Sequence, residues 1–263
     1  MSLRALPVVL AALLLSYAGG AAAADPPALA KARALYNAAD YDGAIAAAAL
    51  ARTQPAAMDA AALVTARSHL ERYRQRGDAA DLATAREALN TVRASMLPPR
   101  DQIDHLVGLG QSLYLANDFG PAAEIFDAAL GRGTLLSHRD RLMLLDWWAS
   151  ALDREAQGRP LDRRVPAYQR IAARMEEELR QDPASAPANY WLAAGSRGAG
   201  DVDRAWDAAM AGWIRAKLAP ETADKLRSDL DRLVTQALIP ERTRTKPPRD
   251  PLTDWQQLKQ DWP

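Results

Sequence analysis

The stretch that decides the fold reads LGQSLYLANDFGPAAEIFDAAL, Leu109 to Leu130. Large and small apolar residues alternate at helical spacing up to Leu115, break off at Asn117-Asp118-Phe119-Gly120-Pro121, and resume from Ala122. Asn tolerates the left-handed conformation that ends a helix. Asp can accept hydrogen bonds from the free amides that open the next one, and a first-turn proline gives up an amide with no helical partner. The stretch therefore predicts two antiparallel helices around a tight turn. Its small residues serve the packing. Gly110, Ala122 and Ala129 are expected where the helices cross closely, with Leu113 and Phe126 filling the gaps beside them.

The same pattern occurs elsewhere. Leu35-Tyr36-Asn37-Ala38-Ala39-Asp40-Tyr41-Asp42-Gly43-Ala44 aligns with Leu113 to Ala122, and Gly198-Ala199-Gly200-Asp201-Val202-Asp203-Arg204-Ala205 is a weaker copy. Asp40, Asp118 and Asp201 recur roughly 80 residues apart, twice a helical-hairpin period near 40. Intervening turns are then expected midway, at Gly77-Asp78 with Asp81-Leu82-Ala83, and at Gly158-Arg159-Pro160-Leu161-Asp162. The second helices should stop at Pro55, Pro98-Pro99, Gly131, Pro183 and Pro220, because proline inside a helix costs roughly 3 kcal/mol. Glu221 to Leu238 carries Leu226, Leu230, Leu233, Val234 and Leu238 at helical spacing, as a capping helix would. Ile239-Pro240 and Lys246-Pro247-Pro248-Arg249-Asp250-Pro251 read as an extended linker. After it, Trp255, Leu258 and Trp262 share one face of a short terminal helix that is expected to dock on the repeat body or on a partner.

These hairpins resemble the tetratricopeptide repeat. The matching residues are Leu106, Leu109, Gly110, Leu113, Ala122, Phe126 and Ala129 in the central copy. The first copy supplies Ala32, Leu35, Ala44, Ala48 and Ala51, and the last supplies Leu192, Ala193, Ala205 and Ala209. The resemblance implies an all-α superhelix of about five hairpins over residues 25–239, followed by a linker and tail helix over 240–263. It also implies a partner-binding concave face lined by first helices. Its positions fall on Leu29, Arg33, Tyr36 and Asn37, on Val107, Gln111, Tyr114 and Leu115, and on Tyr190 and Arg197. The Lys and Asn clamp with which some relatives capture chain ends is replaced by Leu29, Arg33, Val107 and Gln111, so carboxylate capture by that route is not expected.

Composition narrows the function classes. Lys plus Arg and Asp plus Glu are 33 each in 263 residues, which gives no net field to attract nucleic acid. Arg4, the apolar run Leu6 to Leu15 and the small residues Ala22-Ala23-Ala24 read as a secretion signal over residues 1–24. Export is therefore expected, to the periplasm if the source is Gram-negative, with no membrane span left after cleavage. There is no cysteine, so neither a disulfide nor a cysteine nucleophile can form.

No catalytic motif appears. Gly108-Leu109-Gly110 lacks the third glycine of a nucleotide loop and follows no strand. His69, His105 and His138 lack ligand spacing, so no metal or cofactor is expected, and these histidines are read as surface or groove residues. Glu176-Glu177-Glu178 reads as a solvated helix face, and Trp147-Trp148, about 100° apart, as one core indole and one facing a groove or partner. The leading reading is a non-catalytic exported adaptor that holds a protein or peptide. The alternative is an accessory subunit of a solute transport system that binds a lipid or other hydrophobic small molecule. A third reading, a glycosidase, would need two opposed carboxylates, one of them of raised pKa.

Overall fold

The computed structural model describes residues 25–244 and 250–263. The expected secretion signal, and Lys246 to Arg249 of the expected linker, lie outside the described residues. All regular structure among the described residues is helical. The chain divides into two compact units, Met1–Leu115 and Ala116–Pro263, with the boundary falling within the turn of the opening stretch.

The first unit holds α1 (Pro27–Asn37), α2 (Tyr41–Ala51), α3 (Met58–Arg76), α4 (Ala79–Thr91) and α5 (Pro99–Leu115). The second holds α6 (Phe119–Leu130), α7 (His138–Gln157), α8 (Val165–Gln181), α9 (Ala186–Gly198), α10 (Val202–Arg215), α11 (Pro220–Leu233), a π-turn over Val234–Leu238, α12 (Ile239–Arg244) and α13 (Pro251–Asp261). In the first unit each helix packs on the next, and α1, α3 and α5 also touch directly. The second unit repeats this from α6 to α11, with α7, α9 and α11 in direct contact. Each unit therefore has a layer of odd-numbered helices carrying the even-numbered ones.

Small side chains make the layers possible. In the first unit Ala32, Ala44, Ala48, Ala51, Ala61, Ala66 and Ala85 are fully buried, and Leu70, Leu89 and Ile103 fill the remaining volume. In the second, a Cβ on Gly195 of α9 would lie 3.1 Å from Ile171 Cγ2, and 3.3 Å from both the Ala172 nitrogen and the Tyr168 carbonyl oxygen of α8. Ridges of one helix can enter the grooves of another this closely only where a side chain is missing.

The turns follow local chemistry. Asp40, Asp78 and Asp201 accept from the amides of Gly43, Ala80 and Arg204. Asp118 makes no such cap, because Pro121 occupies the third helical position and has no amide to donate there. Left-handed backbone appears at Ala39 (φ 60°), Asn117, Gly77 and Gly200. Ala39 therefore bears a Cβ where glycine would be unstrained.

Two expectations are corrected by packing. Trp147 and Trp148 are both buried, each about 1% exposed, because α6, α8 and α9 cover α7 on several sides. Trp147 meets Phe126 of α6 at 5.7 Å between ring centroids, while Arg170 and Arg174 of α8 roof Trp148. Ile239-Pro240 opens α12 and does not begin a linker. Pro240 lies in that helix's first turn, directly after the π-turn, where the regular amide ladder has already shifted.

The tail helix α13 packs on its own unit. Trp255 is fully buried between Trp206 and Trp213 and donates to Asp231 at 2.8 Å. Lys259 reaches the same carboxylate, and Leu258 packs against the cluster. Trp262 remains partly exposed under Lys217, and its carbonyl accepts from Trp213. Truncating Trp255 to Ala should cost about 3–5 kcal/mol in urea unfolding. Ala39→Gly should raise the denaturation midpoint, with a gain of about 1 kcal/mol.

Candidate functional site

The site begins with helical spacing. Arg33, Tyr36 and Asn37, at i, i+3 and i+4, share one face of α1. Ala60, Leu63, Val64 and Arg67 form the facing stripe of α3, and α5 contributes Asp104. Together these eight residues line a recess whose cavity is about 20 Å³, room for one water.

Ion pairs set the recess walls. Arg33 donates to both oxygens of Asp101, at 3.1 and 2.8 Å, and its Nε lies 2.9 Å from Asp25. Arg67 donates to Asp104 at 2.8 Å and lies 4.6 Å over the Tyr36 ring. Its second terminal nitrogen, Nη2, is buried without a hydrogen-bond partner. Burial pushes the Tyr36 hydroxyl up to about 12, against the pull of Arg67. Burial also works against the Arg67 charge, but Asp104, then Tyr36 and Glu71, raise its pKa above the ordinary guanidinium value. Both guanidinium groups are thus held in defined orientations by acids on α5.

The structure gathers Arg33, Tyr36 and Asn37 at this recess and sends the other expected residues elsewhere. Leu29 and Val107 belong to the core, because their stripe of α1 and α5 faces neighbouring helices. Gln111 is buried, while Tyr114 and Leu115 are half-buried on the last turn of α5. Tyr190 and Arg197 lie on α9 in the second unit, where Arg197 is paired with Glu241 of α12.

Sequence reasoning missed Arg67, Asp101 and Asp104. The available signal was one arginine inside the apolar run from Ala60 to Leu70, which requires a buried acid on a facing helix. Two of the three histidines serve packing instead: His69 binds Asp81 at 2.7 Å, and His105 is buried against the Leu89 carbonyl. His138 is exposed, with Asp182 at 3.8 Å. Glu178 is buried under Arg141 and Arg174 and leaves the solvated face to Glu176 and Glu177. Among the described residues no His, Cys, Asp and Glu group could hold a metal ion, and no helix is long and apolar enough to cross a membrane.

The odd-helix layer of the second unit has different electrostatics. Asp146 of α7 accepts from Trp191 Nε1 at 2.7 Å, and Asp153 accepts from the Tyr168 hydroxyl at 2.9 Å and from Gln157. Burial raises the pKa of both carboxyls. Tyr190, edge-on to Trp191 at 5.3 Å, is pushed up to about 12, by burial first and then by Asp229, Asp153 and Asp146. Asp146 and Asp153 lie two turns apart on one helix, about 10 Å along its axis.

No protein-family model matches this chain, and neither a curated protein nor a solved structure matches it.

The two acidic environments predict opposite responses. Asp104→Ala leaves Arg67 buried and unpaired, and should cost about 3–5 kcal/mol. Asp146 has a raised folded pKa, so its contribution to stability is full below the unfolded value of 3.8 and is lost as pH rises through the folded value. Asp146→Asn, which keeps an acceptor for Trp191, should therefore match or exceed the parent's stability at pH 7. Urea titrations from pH 7 down to pH 4 should show that advantage shrinking.

Proposed function

We propose that this chain is a non-catalytic, exported helical-repeat adaptor of tetratricopeptide type, which holds a protein or peptide partner on its odd-helix faces. The observation that carries the reading is the recess of the first unit. Two guanidinium groups, an aromatic ring and the Asn37 amide converge there from two helices, and each arginine is oriented by an acid on α5. Fixed donors beside an aromatic wall suit backbone carbonyls and polar side chains of a protein ligand. A cavity of about 20 Å³ is much smaller than the roughly 300–1,000 Å³ of small-molecule pockets, which favours a partner surface over a lipid or metabolite. The export part of the proposal rests on the basic, apolar and small-residue succession of residues 1–24.

Asn37 supplies a clean test because it lines the recess at the end of α1 without joining the ion pairs. Asn37→Arg would fill the recess and leave the core intact. Affinity capture from the exported fraction, quantified by mass spectrometry, should recover a partner with the parent chain and at least about tenfold less with the variant, a loss of about 1.4 kcal/mol. Recovery of the same proteins in equal amounts by both chains would overturn the proposal.

A further inference from the structure

Most buried acids in this chain meet a cation. Asp59, Asp101, Asp104 and Glu178 each bind an arginine within hydrogen-bond distance. The half-buried Asp146 and Asp153 do not: among the described residues their hydrogen bonds come from the neutral Trp191, Tyr168 and Gln157. The nearby cations are otherwise engaged, Arg197 with Glu241, and Lys225 and Arg232 with Asp229. Arg154 and Arg197 act on Asp153, and Lys225 on Asp146, through their fields without a hydrogen bond. The result is two carboxylates on one stripe of α7 that take part in no ion pair among the described residues, beside the edge-to-face pair of Tyr190 and Trp191 on α9.

A half-buried carboxylate pair next to aromatic rings is chemically matched to a cation. The carboxylates supply charge-assisted acceptors, and the rings supply faces on which a weakly hydrated guanidinium can stack. Their spacing of about 10 Å along α7 is too long for one guanidinium to bridge. It suits two cationic side chains three residues apart in an extended or polyproline chain, which advances about 3.1 Å per residue and returns to the same face every third residue. We infer that the α7–α9 face of the second unit binds an extended basic peptide segment whose Arg or Lys residues stand three apart. The inference rests on the adaptor reading and specifies the chemistry of the partner.

The probe is a capped, proline-rich peptide with two arginines three positions apart, titrated calorimetrically into the full chain at low salt. The arginine peptide should bind, and binding should weaken as salt rises. Replacing both arginines by citrulline, which removes charge from the ligand and leaves the protein untouched, should weaken binding at least about tenfold. Asp146→Asn with Asp153→Asn should do the same, with an unchanged far-ultraviolet dichroism spectrum confirming the fold. No binding of the arginine peptide, equal binding of the citrulline peptide, or unchanged affinity of the double variant would each overturn the inference. If the peptide fails while partner capture still depends on Asn37, the basic-segment inference falls and the adaptor reading stands. Peptide binding without any captured partner separates the two in the other direction.

Discussion

Close approach between helix backbones is the constraint from which the rest follows. A glycine or alanine at a crossing removes the side chain that would hold two axes apart. At Gly195 the space is so restricted that one methyl group would press on the backbone of α8 as well as on Ile171. Gly198 repeats the arrangement against the ring of Tyr168, and Gly212 against Leu230 and Asn189. Larger residues then have fixed gaps to fill, as Phe126, Trp147 and Leu230 do with essentially no exposure. Alanine-rich composition is thus a packing requirement of this chain as well as a source of helix propensity.

Once helices lie this close, the polar groups between them are forced into pairs. Arg67 enters the α1–α3–α5 layer only with Asp104 opposite and the Tyr36 ring beneath it. An isolated charge in that position would be costly. The same logic holds Glu178 between Arg141 and Arg174. Asp146 and Asp153 depart from it, and that departure distinguishes the second unit's odd-helix face. A fold that pairs Asp59, Asp101, Asp104 and Glu178 with arginine, and leaves these two to neutral donors beside aromatic rings, presents an electrostatic demand that an outside cation can meet.

The helix order was legible in the sequence because its punctuation is local. Asn117-Asp118, Gly77-Asp78 and the prolines at 55, 98, 183 and 220 act through φ, ψ and missing amides, which require no knowledge of neighbours. Properties that depend on which helix faces which were less legible. Trp147 and Trp148 looked incompatible with one core because the angle of about 100° between adjacent side chains matters only for a helix with a wet side, and α7 has neighbours on several. Arg33, Tyr36 and Asn37 could be grouped from spacing on one helix. Their counterparts Arg67, Asp101 and Asp104 come from helices 30 or more residues away. Asp118 carried the same cap signature as Asp40, and only the position of Pro121 in the first turn, where there is no amide to donate, decides that its carboxylate caps nothing.

Gly195→Ala tests the close-approach claim most directly, because the two effects at issue have opposite signs. In an unconstrained helix this substitution stabilises by about 1 kcal/mol through propensity alone. Against the backbone of α8, the added methyl should instead overpack the crossing and lower stability by about 1–3 kcal/mol in reversible urea unfolding. A variant as stable as the parent, or more stable, would contradict the account, because the axes of α8 and α9 would not then be held together by the missing side chain.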